Sequence, residues 1–129
     1  MKDLREFIKG VEELGELKVI EGAHWDLEIG AITYLSAKKS AEPPALLFDK
    51  VPGYKPGYRV FANPHCTDKR LALMLGLPQE AQRLELVQAI RDKVSEPFVP
   101  LPPVEVKAGL ILKNVITGGD IDRLMFPAP

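Results

Sequence analysis

Four prolines within seven residues, Pro97, Pro100, Pro102 and Pro103, restrict the fold of this chain more than any other feature. Proline holds φ near about −65° and has no backbone N–H, so neither a helix interior nor a central strand can run through such a stretch. Residues 97–103 therefore read as an extended, partly rigid connector in polyproline geometry. Regular structure must fall mainly before it, with a shorter apolar segment after it. The connector is not taken as a domain boundary, because apolar β-type sequence resumes at Val104 and 129 residues suit one domain.

Ahead of the connector, hydrophobic spacing sets the elements. Leu4, Phe7, Ile8, Val11 and Leu14 recur at helical intervals. Asp3 and Glu6 suit a capping box, and Gly15 suits the left-handed stop. Leu17–Ile20 follows as a short strand. Asp26 is expected to cap a second helix whose shared face holds Trp25, Ile29, Ile32 and Leu35, with Gly30 at a close packing contact. Ala45–Val51 reads as a buried strand, and Pro52-Gly53 as a turn. Tyr58–Ala62 makes a second strand, with a hairpin through Tyr54–Gly57. Thr67 or Asp68 caps a helix to Leu77 that turns Leu71, Met74 and Leu75 inward. A further helix runs from Pro78 to about Val94, with Leu84, Val87, Ile90 or Arg91, and Val94 inward. Beyond the connector, Val104–Val106 and Leu110–Ile116 are strand candidates around a Lys107–Gly109 turn. Helices and strands mix without strict alternation. The expected fold is α+β, a mixed β-sheet flanked by about four helices in a single domain.

Composition excludes several functions. Hydrophobic residues make up 46% of the chain, enough for a core without metal or disulfide support. A net charge of −1 lacks the basic excess of a nucleic-acid binder. Uncharged runs such as Ile29–Ala37 fall well short of the roughly 20 residues of a spanning helix, so no membrane partner is expected. The charged start, Met1-Lys-Asp-Leu-Arg-Glu6, has no signal-peptide core, and the single Cys66 cannot close an intrachain disulfide. These features point to a reducing, cytoplasmic setting.

Candidate reactive groups are sparse. His65 and Cys66, with Asn63 and Asp68 nearby, suggest a hydrolase or metal site, but adjacent residues in an extended segment point to opposite faces. They are read instead as a strand-to-helix corner with a buried thiol. His24-Trp25-Asp26 could act in acid–base chemistry, yet stapling and capping the second helix explains it with fewer assumptions. Thr117-Gly-Gly-Asp120 could offer amides to a phosphate, but it lacks a nucleotide-binding fingerprint and reads as a turn. Lys38-Lys39 and Lys69-Arg70 are assigned to solvated helix faces. Glu12, Glu13 and Glu16 are assigned to the polar side of the first helix, without a useful pairing.

Four stretches stand out, in order: Asp3-Leu-Arg-Glu-Phe-Ile8 with Glu12-Glu-Leu-Gly-Glu-Leu-Lys18; Trp25-Asp-Leu-Glu-Ile-Gly-Ala-Ile32; Pro44-Ala-Leu-Leu-Phe48 with Val51-Pro-Gly-Tyr54; and Asn114-Val-Ile-Thr-Gly-Gly-Asp120 with Leu124-Met-Phe-Pro-Ala-Pro129. Together they resemble the N-terminal domain of the UbiD-like decarboxylases. The resemblance implies a parent carboxy-lyase that reversibly and non-oxidatively decarboxylates aromatic or α,β-unsaturated acids. It implies prenylated FMN as electron sink, Mn2+ and K+, an Arg–Glu–Glu set, and Asn, His and Glu metal ligands. Those residues belong to later parts of the family's chains. No catalytic, cofactor-binding or metal-binding residue is therefore assigned in this chain, and neither His24 nor His65 matches the metal-binding histidine.

The expectation is an inactive N-terminal domain over residues 1–129. Its exit segment, 124–129, leads toward a flavin-binding domain, and its partners are the flavin-binding and C-terminal domains of a homo-oligomeric enzyme. Two other readings are a stand-alone binding or regulatory module (or separate subunit), and a small enzyme built on His65, Cys66 and Asp68.

Overall fold

The protein is described by a computed structural model covering residues 3–97, 99–109, 113–122 and 125–127. Helix α1 spans Leu4–Glu13, strand β1 Leu17–Glu21, helix α2 Glu28–Lys39 and strand β2 Ala45–Asp49. Strand β3 spans Val60–Ala62, helix α3 Asp68–Leu75 and helix α4 Arg83–Ser95, and a 3-10 turn covers Gly118–Asp120. The sheet order is β1-β2-β3, with β1 parallel to β2 and β2 antiparallel to β3. This is the expected α+β domain, a mixed sheet with four helices.

The central strand explains the layering. Side chains alternate along β2, so Leu46 and Phe48 face one side and Ala45 the other. Ile29 and Ile32 of α2 pack with Leu46, Phe48, Ile20 and Trp25. On the opposite face Phe7 and Val11 of α1 pack with Ala45, Phe61 and Leu73. Covered on both faces, β2 is buried from Ala45 to Phe48, which is why its sequence is a continuous apolar run.

Helix α1 forms as the spacing predicts. Asp3 caps it by accepting from the Glu6 amide at 2.9 Å, and Gly15 leaves it with φ 72°. Leu4 is the exception in its apolar stripe and stays exposed. Where a side chain would obstruct packing, the glycine is Gly10 rather than Gly30. A Cβ on Gly10 would lie 2.9 Å from the Leu73 side chain, whereas one on Gly30 would meet nothing within 4 Å.

Other expectations are corrected. Helix α2 begins at Glu28 after Leu27 at φ 68°, and Asp26 does not cap it. The entry is held instead by the His24 ring, whose Nδ1 accepts from the Asp26 amide at 3.1 Å. The Glu28 carboxylate adds to this, accepting from the His24 amide at 2.7 Å. Leu35, expected on the inner face of α2, is exposed.

Helix α4 begins at Arg83, because Pro78 sits in a turn closed from the Ala81 amide to the Pro78 carbonyl. It buries Leu86, leaving Leu84, Val87, Ile90 and Val94 facing outward. Both faces carry apolar residues, and periodicity alone could not tell which one meets α3. Helix α3 likewise buries Arg70 and Ala72, while Met74, expected inside, is exposed.

Val104–Val106 forms no strand and is exposed, since alternating apolar residues make a strand only where a neighbour completes the backbone ladder. Of Leu110–Ile116, residues 110–112 lie outside the described residues, and 113–116 carry no strand. Leu124 and residues 128–129 of the exit segment also lie outside the described residues.

Candidate functional site

The most heavily bonded polar group among the described residues is Arg70, which sequence reasoning placed on a solvated face. Its side chain is 0% exposed. Thr67 caps α3 by accepting from the Arg70 amide, which turns the following guanidinium in toward the end of α1. There NH1 donates to Glu16 Oε2 at 2.8 Å, and NH2 donates to the Pro43 carbonyl at 2.7 Å and the Asn63 carbonyl at 3.3 Å. Nε donates to the Pro64 carbonyl at 3.2 Å. Glu16 also accepts from the Thr67 hydroxyl at 2.6 Å, so the carboxylate thought to lack a pairing is half of this centre.

A buried charge must be paired and hydrogen-bonded to be tolerated. Here one guanidinium fixes the end of α1, the approach to β2, the turn after β3 and the start of α3. The signal that could have found it is the Thr67 cap. Once α3 starts at Asp68, Arg70 lies in its first turn beside the inward Leu71.

Around this centre the candidate reactive residues disperse. His65 is exposed, with its ring centroid 5.7 Å from that of Phe7. Cys66 is also exposed, which corrects the expectation of a buried thiol. Asp68 pairs with Arg83 at 3.2 Å, tying α3 to α4. Cys66 and Asp68 border an open polar groove of about 450 Å³ with Glu42, Lys69 and Gln79. His24 stacks on Trp25, with centroids 5.7 Å apart, and serves the entry to α2.

Gly118–Asp120 is the turn that the sequence indicates. Lys38 lies 5.4 Å from the centre of the Tyr34 ring on the exposed side of α2. Lys50 bonds Glu21 at 2.7 Å; that hydrogen bond and the Glu21 charge raise its pKa, Asp49 adding to them and partial desolvation opposing them.

Among the described residues no three His, Cys, Asp or Glu side chains gather where a metal ion could bind. The polar groups among the described residues therefore do not fit the divalent-metal site that the resemblance implies for the parent enzyme. No described helix is long and apolar enough to cross a membrane.

Fold and polar centre together define a small α+β domain locked by a buried ion pair. The chain belongs to the family of the 3-octaprenyl-4-hydroxybenzoate carboxy-lyase N-terminal domain, which it matches over residues 8–90. It is 34% identical to a phenolic acid decarboxylase of Sedimentibacter hydroxybenzoicus, over 89% of this chain and 24% of that protein.

Among solved structures, the vanillic acid decarboxylase of the same organism matches in its open form with a TM-score of 0.66. The identity there is 31%, over 80% of this chain and 21% of that one. Its closed form matches with a TM-score of 0.63 at 31% identity, over 83% and 22%. The chain thus spans about a quarter of the length of the relatives it matches. The first three stretches of sequence resemblance fall largely inside residues 8–90, and the fourth, from Asn114 onward, lies beyond them.

Proposed function

We propose that this chain is the non-catalytic N-terminal domain of a UbiD-like carboxy-lyase. The parent enzyme decarboxylates an aromatic or α,β-unsaturated carboxylic acid, reversibly and without oxidation, in the cytoplasm and as a homo-oligomer. Prenylated FMN, with Mn2+ and K+ in the parts of the enzyme beyond this chain, would supply the electron sink. The observation that carries the reading is the alignment of 89% of this chain with 24% of a phenolic acid decarboxylase.

The role of the domain is packing and orientation. The Arg70 centre makes its body one rigid unit. Apolar side chains that this body leaves uncovered, Leu84 and Val87 on α4 among them, offer surface to the remaining domains. The proline-rich connector at 97–103 lies inside the domain, and the exit segment at 124–129 leads toward the remainder of the enzyme.

The test is the intact mass of the natural gene product in its source cells, followed by decarboxylation assays of that product on phenolic acids. A mass far above 14.3 kDa with carbon dioxide release supports the reading. A product near 14.3 kDa that copurifies with no larger UbiD-like subunit overturns it.

A further inference from the structure

We propose that Tyr54 and Tyr58 form a built seat for Phe126, which fixes the direction in which the chain leaves the domain. The Tyr54 hydroxyl donates to the Phe126 carbonyl at 3.2 Å, joining positions 72 apart in sequence. The Tyr58 ring lies 5.8 Å from the Phe126 ring at 55°, and 6.2 Å from the Tyr54 ring at 51°. These separations lie in the range of favourable aromatic pairs, which contribute about 0.5–1.5 kcal/mol beyond the area they bury.

The loop that carries the seat is held by contacts that do not involve Phe126. Val51 is buried, and the Tyr54 amide closes a turn on its carbonyl at 3.2 Å. The Tyr58 amide closes a second turn on Lys55 at 3.4 Å. Pro52-Gly53 and Pro56-Gly57 punctuate the loop, with Gly53 and Gly57 at φ 86° and 100°, where a side chain would be strained. Tyr54 itself packs against the core cluster of Leu46, Phe48 and Val51.

On the other side, Pro127 restricts Phe126 to extended conformations, so little order remains to be imposed on binding. Phe126 keeps 59% of its surface exposed, so the seat grips its carbonyl and part of its ring. In a longer enzyme the seat would set the angle of the domain after Phe126, and only that consequence rests on the proposed function.

The test is NMR on the isotope-labelled 129-residue chain. The expected result is cross-relaxation between the Tyr58 and Phe126 rings. Amide order parameters at Met125 and Phe126 should lie near the rigid-backbone value of about 0.85. Tyr54→Phe, which removes only the hydroxyl, should lower both, and Phe126→Ala should bring Met125 below about 0.6 with β2 amide shifts unchanged. Phe126 is largely exposed, so its replacement leaves the core intact even if Tyr54→Phe disturbs it. Absence of ring cross-relaxation in the unaltered chain, or unchanged order at Met125 in both variants, overturns the proposal. A parent protein without decarboxylase activity would remove the proposed function and leave this result standing.

Discussion

Residues 3–86 and the stretch from 87 onward are similarly apolar in sequence and opposite in outcome. Every buried hydrophobic residue among those described lies between Phe7 and Leu86. After Leu86 the large apolar side chains among the described residues turn outward or half-outward, from Val87 and Val94 through Val99, Leu101 and Val104 to Ile121 and Phe126. In the first region the central apolar faces find a second layer, with α1 and α2 closing on opposite sides of β2, although single side chains such as Leu4 and Leu35 stay exposed. In the second, among the described residues, Phe126 meets Tyr54 and Tyr58 with its ring still largely exposed, and no full layer covers the rest. Apolar sequence marks where burial would be favourable, and only an opposing surface turns it into core. The difference between the two regions is the presence of a partner layer.

The largest expected effect tests how far the first region acts as one unit. Arg70→Ala leaves Glu16 without its cation, with only the Thr67 hydroxyl donating to it, and deprives the Pro43, Asn63 and Pro64 carbonyls of their donor. A loss of about 3–5 kcal/mol in urea-unfolding free energy is expected. A loss below about 1 kcal/mol would mean that water replaces the guanidinium, and that the four segments are not locked together.

A sharper comparison uses two leucines on one helix. Leu86 is 1% exposed and Leu84 67%. Leu86→Ala should cost about 2–5 kcal/mol in the same measurement, and Leu84→Ala less than about 0.5 kcal/mol. Equal losses would mean that Leu86 does not anchor α4 to the core. With the complete parent enzyme, Leu84→Ser together with Val87→Ser should instead weaken association between this domain and the rest.

Smaller effects come from the two helical glycines, and they differ in sign. Gly10→Ala gains helix propensity of about 1 kcal/mol but drives a methyl against Leu73, so a net loss of up to about 2 kcal/mol is expected. Gly30→Ala meets open space and should raise stability by about 0.5–1 kcal/mol. Thermal melts of the pair read this sign directly.

The smallest effect belongs to Lys50 and Glu21. A lysine whose pKa is raised on folding contributes its stability fully below its ordinary value of 10.5 and loses it as pH rises through the raised value. Stability of the unaltered chain and of Lys50→Met should therefore run parallel from about pH 6 to about pH 9. They should differ slightly at low salt and converge at high salt.

The failures of sequence reading have a common form. Lys69-Arg70 reads as a charged pair at a helix start, and for Lys69 a solvated position is correct. Arg70 goes inside because Glu16 and the Pro43, Asn63 and Pro64 carbonyls, all distant in sequence or on another segment, converge on one point. Asp26 has the chemistry of a cap, but His24 and Glu28 take over the entry to α2. Tyr54 sits in a stretch that reads only as a hairpin connection and Tyr58 at the expected start of a strand, and the partner they share is 72 positions from Tyr54. Each error concerns which of several suitable partners a side chain meets.

The sequence by itself determined α1 and its Asp3 cap, the start of α3 at Thr67 or Asp68, the three strands that pair, the hairpin of β2 and β3, and the family. Those features arise from spacing, backbone preference and contiguous motif, all local properties. The tertiary structure decided which face of α4 is buried, that Arg70 is the polar centre, that Cys66 is open, and that Val104–Val106 stays unpaired. Burial and pairing depend on what lies opposite in space, and a periodic sequence does not carry that information.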